Sequence, residues 1–321
     1  MRELKLILSR EQPRINLELQ KRVDELPPGS RAVAAHLLAA GGKRLRPLLT
    51  LLCGRAFGAD DESLYTLGAA IEMLHTATLA HDDVIDNSPL RRGKAAAHIA
   101  FDTTRAVLAG DAMLAKALLL VSAFGDNKLT ACIAQAVMRT AEGEIAEFDI
   151  LRNLDASHDD YLAVITGKTA WMLQAACELG AIRAGAEGAV LESAAVFGLE
   201  LGRAFQMVDD ALDFSPSEET GKPMGGDLRE GKITPPLLHY LASLDEAEAA
   251  LFRQNFKDNS LSEENMDAVS RAIYANGFAE MAKVTAGQHL ARADAALEAF
   301  PDVQERIVLK QMLEYIKNRK H

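Results

Sequence analysis

Two short acidic clusters carry the clearest chemical signal in this chain. The first reads His81-Asp82-Asp83-Val84-Ile85-Asp86 and the second Gln206-Met207-Val208-Asp209-Asp210-Ala211-Leu212-Asp213, so each contains the pattern DDxxD. On a helix, residues four apart share a face, so Asp82 points with Asp86, and Asp209 with Asp213. Each pair repels itself. Both clusters also close long apolar stretches, where the helix dipole disfavours anions. Carboxylates set so poorly for stability need a cation. All-oxygen ligands suit Mg²⁺, which keeps several waters and bridges to substrate phosphates. One DDxxD alone reads equally well as a solvated helix end. Two copies, each ending an apolar helix, do not.

Basic residues recur beside these clusters. Gly41-Gly42-Lys43-Arg44-Leu45-Arg46-Pro47 places Lys43 and Arg46 three residues apart at an expected helix start, and Ser88-Pro89-Leu90-Arg91-Arg92-Gly93-Lys94 follows the first cluster directly. Gly167-Lys168-Thr169 opens or interrupts a helix, and Lys222 and Lys232 flank Gly225-Gly226-Asp227 just after the second cluster. A lone basic residue is ordinarily solvated surface; the placement is what informs. Mg²⁺ neutralises only part of a diphosphate, and Arg and Lys supply the remaining donors. Gly167-Lys168-Thr169 is not the end of a Walker A loop: position 162 is Leu where that loop needs Gly, and no strand precedes it.

The elements that must hold these groups read as helices. Apolar residues recur every three to four positions over 64–86, 107–121, 130–148, 161–179, 190–214 and 279–297. Turn residues concentrate at 27–29, 41–42 and 216–236. No alternating strand pattern, internal repeat or linker composition interrupts the series. The expected architecture is one all-α domain over residues 1–321, with ten or more helices. The stretches 64–80 and 190–214 are nearly apolar and read as buried central helices.

Composition agrees and narrows the function. Apolar residues make up 49% and aromatics only 5%, which favours helices over sheets. A net charge of −11 excludes the basic footprint that nucleic acid requires, but not a small anion in a basic pocket. Cys53, Cys132 and Cys177 are odd in number and lack CxxC spacing, which fits a reducing, cytoplasmic setting. The start MRELKLILSREQ has no long apolar run, and the apolar stretch 106–124 is interrupted by Asp111 and Lys116, so no membrane span is expected.

Together these segments resemble the trans-isoprenyl diphosphate synthases over nearly the whole chain. The matching pieces are GGKRLRP (41–47), HTATLAHDDVIDNSPLRRGK (75–94), GKTA (167–170), FQMVDDALDF (205–214) and GKPMGGDLREGKITPPLL (221–238), in the family's order. The resemblance implies a single helical bundle of the isoprenoid synthase type, with the active site in a central cavity. It implies that Asp82, Asp86 and Asp209 hold Mg²⁺, assisted by Asp210 or Asp213, with three ions per site. Lys43, Arg46, His75 and Arg92 would bind isopentenyl diphosphate. Arg91, Lys168, Lys222 and Lys232 would bind an allylic diphosphate. Thr169 and Gln206 would face the reacting carbons. The implied reaction is ionisation, condensation and elimination, giving a longer all-trans polyprenyl diphosphate. A homodimer is implied as well, with transient membrane contact when product leaves.

Product length should depend on residues a turn or more before Asp82: Thr78, Ala77, Leu74 and Met73, at about 1.5 Å of depth per residue. Short-chain members of the family place a bulky aromatic at 77 or 78. Here Ala77 and Thr78 are small, and the cluster lacks a two-residue insertion, so the chain resembles the long-chain, octaprenyl-type group. Ala77 is small enough to be helix packing alone, and a floor at Met113 or Met138 stays open. Three positions depart from relatives: Thr220 where many have Leu, Pro235-Pro236 where Leu-Pro is usual, and Glu147 where long-chain members often have Gln. The alternatives are a short-chain farnesyl or geranylgeranyl diphosphate synthase, a terpene cyclase, a non-catalytic subunit of a heterodimeric synthase, and an HD-type metal phosphohydrolase built on His81-Asp82 and His158-Asp159. A cyclase would lack the Lys43, Arg46 and Arg92 set. A non-catalytic subunit would lose one Asp cluster. The phosphohydrolase leaves Arg91, Arg92 and the second cluster unexplained.

Overall fold

The helix Ser63–Ile85 runs 23 residues without Pro and buries Leu64, Leu67, Ile71, Leu74, Ala77 and Ala80 around its circumference. A helix apolar on all sides has to be covered on all sides. Its main partners are the helices Thr103–Ser122 and Leu45–Ala56. The first partner begins at Asp102, whose side chain accepts the Arg105 N–H and caps the free end. This is a computed structural model that describes residues 2–216 and 224–319; the expectation for Lys222 lies outside the described residues.

The chain divides into two compact units. The first comprises Met1–Val137, Met172–Gly198 and Leu297–Gln311; the second comprises Met138–Trp171, Leu199–Ala296 and Met312–His321. In the first, the chain reaches Ser63–Ile85 through Arg2–Asp24, Pro28–Ala39 and Leu45–Ala56. Pro28 opens its helix, where the missing N–H costs nothing. In the second, Phe214, Leu237, Phe256 and Ile273 are fully buried in one apolar cluster with Leu228 and Leu241. Each such side chain contributes about 1.5–3 kcal/mol by leaving water. The helices Pro235–Ser243 and Phe278–Ala296 pack together in this unit.

The all-helical expectation holds, with two local corrections. Residues 161–179 are not one helix. His158–Ile165 is followed by a π turn, Thr166–Ala170, in which the Trp171 N–H donates to the Thr166 carbonyl five residues back, and then by Trp171–Arg183. Periodicity cannot register one inserted residue when both flanks are apolar. Two two-residue strands, Leu90–Arg91 and Lys94–Ala95, also pair antiparallel around Arg92 and Gly93. Both turn residues have positive φ, 52° and 77°, as a two-residue hairpin of matching twist requires. Strands this short show no alternation in sequence. Among the described residues, no helix is long and apolar enough to cross a membrane.

Candidate active site

In the first unit, the Gly41-Gly42 turn, the buried helix Ser63–Ile85 and the short hairpin bring four arginines towards one imidazole. Arg44 is pinned. Its Nη1 donates to Glu72 Oε1 at 2.9 Å, its Nε to Asn16 Oδ1 at 3.0 Å and its Nη2 to the Leu38 carbonyl at 3.0 Å. Arg44 takes φ 51° to do this, a conformation non-glycine residues reach only at some cost. Arg92 donates to the Gly41 carbonyl. Arg91 is clamped by Asp83, the fully buried middle carboxylate of the first cluster, with Nε to Oδ1 at 2.8 Å. Arg44, Glu72, His75, Arg91 and Arg92 line a common pocket. Arg91 thus lies beside Arg92 and His75.

The electrostatics of this pocket favour negative charge. Burial, and then the guanidiniums of Arg46, Arg92, Arg91 and Arg44, push the His75 imidazole well below its usual range. Burial lowers Arg46 to about 10 against the attraction of Glu72, and lowers Arg92 also. Buried Arg46 Nε has no hydrogen-bond partner. A buried guanidinium donor left unmatched is costly unless a ligand supplies the acceptor. Lys43 is exposed at the edge of this segment. Asp82 is half-buried in the last turn of its helix, and Asp86 is exposed at its C-cap.

The second unit is built differently. Lys168 donates to Glu144 at 3.0 Å and to Glu147. Burial would lower this ammonium, but Glu147 and Glu144 hold it above its usual range. Thr169 Oγ1 donates to Gln206 Oε1 at 2.8 Å, Gln206 Nε2 to Asp210 Oδ1 at 2.8 Å, and the Tyr161 hydroxyl to Asp210 Oδ2 at 2.6 Å. Burial, with the neighbouring Asp209 charge, pushes Asp210 up to about 7 despite those hydrogen bonds. Lys232 stands 3.9 Å from Asp227 and pairs with Glu230. Burial opposes its charge, but these carboxylates and Glu147 raise it. Burial and the charges of Asp213 and Asp210 in turn raise Asp227 well above the usual carboxylate range. A cavity of about 70 Å³ is lined by Lys168, Thr169, Gln206, Asp210, Asp227 and Lys232.

The second cluster splits its carboxylates among separate partners. Asp209 pairs with Arg319 at 2.8 Å, Asp210 faces Tyr161 and Gln206, and Asp213 accepts the Asp227 N–H at 2.9 Å. Asp213 thereby ties down the start of the helix Gly226–Glu230. Among the described residues, no three His, Cys, Asp or Glu side chains converge as a cage for a metal. Carboxylates that stand apart and need phosphate oxygens to complete a shell suit Mg²⁺ arriving with its substrate. The residues fit that ion in that role.

The family follows from comparison. The model of the polyprenyl synthetase family matches residues 29–273. The chain belongs to the polyprenyl synthetase family. It is 36% identical over 275 residues to octaprenyl diphosphate synthase of Escherichia coli, covering 85% of each chain. It is 31% identical over 329 residues to a short chain isoprenyl diphosphate synthase of Methanothermobacter thermautotrophicus, covering all of both. A polyprenyl synthase of Caulobacter crescentus, solved with calcium and isoprenyl diphosphate, superposes with a TM-score of 0.93 at 36% identity, covering 99% of this chain and 98% of that one. Membership displaces the HD-type phosphohydrolase reading. His81 Nε2 instead lies 3.1 Å from the Val107 carbonyl and 3.4 Å from Asp111.

Sequence reasoning gave no role to several residues of this polyprenyl synthetase that the structure brings to the pockets. Arg44 and Asp227 stand inside quoted motifs but were passed over for their neighbours. Glu72 is the one carboxylate in the apolar stretch 64–80, a signal that could be read as the partner of a buried cation such as Arg44. Tyr161 and Glu144 carry no motif, and only the fold brings them to Lys168 and Asp210.

Proposed function

We propose that this polyprenyl synthetase condenses isopentenyl diphosphate with an allylic diphosphate to give a longer all-trans polyprenyl diphosphate. The carrying observation is the unmatched positive charge in the first unit, where Arg46, Arg92 and neutral His75 wait for an anion. In this reading Lys43, Arg46, His75 and Arg92 hold isopentenyl diphosphate. Arg91, Lys168, Lys222 and Lys232 hold the allylic diphosphate. Asp82, Asp86 and Asp209, with Asp210 or Asp213, hold Mg²⁺, three ions per site. The ions when bound would neutralise the departing pyrophosphate.

The allylic C–O bond breaks with its electron pair leaving on pyrophosphate. Thr169 Oγ1 and Gln206 Oε1 turn oxygen dipoles towards the carbocation that remains, which is electrostatic support without a protein nucleophile. The isopentenyl double bond attacks the cation, and the departed pyrophosphate takes up the proton whose loss restores a double bond. Water has to be excluded, since it would quench the cation.

The long-chain reading rests on small Ala77 and Thr78 and on the octaprenyl-type relative; the short-chain relative, matched end to end, supports the alternative. Ala77 is fully buried. The reading extends to one catalytic domain over 1–321, a cytoplasmic enzyme and a homodimer with transient membrane contact at product release. Leu108 and Leu119, 60% and 65% exposed on Thr103–Ser122, support an apolar face that a second copy would cover. Incubation with labelled isopentenyl diphosphate and a farnesyl primer tests the core proposal. Elongated products, shortened by Ala77→Phe, are expected; no elongation refutes the reaction, and an unshortened product refutes position 77.

A further inference from the structure

The π turn Thr166–Ala170 sends two adjacent side chains to different helices: Lys168 to Glu144 and Glu147, and Thr169 to Gln206. Such turns are rare, and one extra residue rotates whatever follows by about 100° relative to a regular helix. Something has to hold it. Two backbones press against it. A Cβ on Gly143 would lie 2.4 Å from the Lys168 nitrogen, and one on Gly202 would lie 2.5 Å from Ala170 Cα. These contacts fix the distance of the turn from its neighbours but not its rotation.

Rotation is fixed at its first residue. Arg203 Nε donates to Thr166 Oγ1 at 2.9 Å, while Arg203 Nη1 donates to Glu200 Oε1 at 2.8 Å. Glu200 is itself buried, and its other oxygen lies 2.7 Å from both Arg292 Nε and His289 Nδ1. Burial alone would raise this carboxylate; hydrogen bonds from His289 and Arg292 hold it down to about 2, so it stays charged against Arg203. The helix Gly188–Leu212 therefore grips the turn at two points. Arg203 takes Thr166, and Gln206, three residues on, takes Thr169.

We infer that Arg203 is a positioning residue for prenyl transfer: through Thr166 it sets the rotation of the π turn and so the aim of Lys168 and Thr169. This rests on the prenyltransfer reading above. Without the grip the turn can relax towards a regular helix, and a misplacement of about 1 Å at a reacting centre can cost about a hundredfold.

The test uses the full chain with Mg²⁺ and both diphosphates. Thr166→Val removes the acceptor at nearly constant shape, Thr166→Ser keeps it, and Arg203→Met keeps the stem without the donor. Thr166→Val and Arg203→Met are each expected to lower kcat about tenfold to a hundredfold, with KM for isopentenyl diphosphate changed less than about twofold. Thr166→Ser should match wild type, and the double variant should be no worse than the poorer single one, because both break the same link. Singles within about twofold of wild type, or losses that multiply in the double, overturn the inference. If Arg203→Met fails to fold for want of a Glu200 partner, Thr166→Val decides alone. A wild-type chain inactive with both diphosphates would instead overturn the prenyltransfer reading.

Discussion

The two pockets set opposite electrostatic problems. In the first unit, four arginines and a histidine crowd together with Glu72 and Asp83 as the carboxylates among them, and burial and mutual repulsion lower Arg46, Arg92 and His75. In the second, Lys168 and Lys232 are each held by two carboxylates and raised. Burial, with the charge of neighbouring carboxylates, raises Asp210 and Asp227 beside them too. On the proposed reading the first pocket would take a diphosphate without added cations. The second already has its lysines engaged and carries spare carboxylate, so an anion enters it well only with cations of its own. Under the proposed function, that asymmetry would pair the metal with the diphosphate that ionises.

The largest break in this picture comes from the acidic clusters. Asp82→Ala and Asp209→Ala should each lower turnover by about a hundredfold to a thousandfold, the scale of losing a main electrostatic contributor in a catalytic site. Circular dichroism should show the fold retained, since Asp82 sits in a self-repelling cluster and Asp209→Ala gives up one part-exposed ion pair, to Arg319. Turnover near wild type in both would mean that neither acidic cluster holds a cation the reaction needs, and the contrast would lose its metal-dependent half.

Next in size are the cations. Arg92→Ala should raise KM for isopentenyl diphosphate, and Lys232→Ala KM for the allylic substrate, each about tenfold to a hundredfold for one charge-assisted contact. Steady-state kinetics varying one diphosphate at a time separates the two. A swapped pattern would exchange the roles assigned to the pockets.

A smaller effect sharpens the comparison from the other side. Glu147 takes one of the bonds from the Lys168 ammonium and also raises Lys232. Glu147→Gln keeps the shape and removes a charge that competes with the diphosphate. It should lower KM for the allylic substrate about threefold while leaving the isopentenyl KM alone. A raised allylic KM would mean that Glu147 orients Lys168 rather than competing for it.

The sequence carried most of this because the chemistry is written in clusters. Asp82, Asp86, Asp209, Lys168 and Arg92 sit in runs whose spacing has a physical meaning, and long apolar periodicity announced the helices around them. What stayed hidden depends on rotation and on distant pairing. Nothing near Thr166 in the chain announces a π turn, because its flanks are as apolar as any helix. Glu72 and Tyr161 acquire meaning only when Arg44, 28 residues away, and Asp210, 49 residues away, arrive beside them. The cluster pattern also suggested that Asp209 and Asp213 act together. Their shared face is real, but Arg319 and the Asp227 N–H draw them to different partners.

A stability measurement, not a rate, tests whether the first pocket really favours negative charge. An ordinary histidine titrates near 6.5, and His75 is held well below that by burial and by four guanidiniums. Below pH 6.5 the unfolded chain therefore binds a proton that the folded chain refuses. Stability falls as the pH drops through this window, by at most about 1.4 kcal/mol per pH unit from this one group. Above 6.5 both states are neutral and His75 contributes no slope. Urea titrations at pH 7.5 and 5.5 should show a larger loss in wild type than in His75→Gln, whose amide does not titrate. Inorganic pyrophosphate should then shrink the wild-type loss. A bound anion offsets the surrounding arginines, favours the imidazolium and brings the folded pKa back towards the unfolded one. Equal losses in the two proteins would mean that neither burial nor the arginines hold His75 down, and a wild-type loss that pyrophosphate leaves unchanged would mean that burial alone does; either would take the footing from the contrast between the pockets.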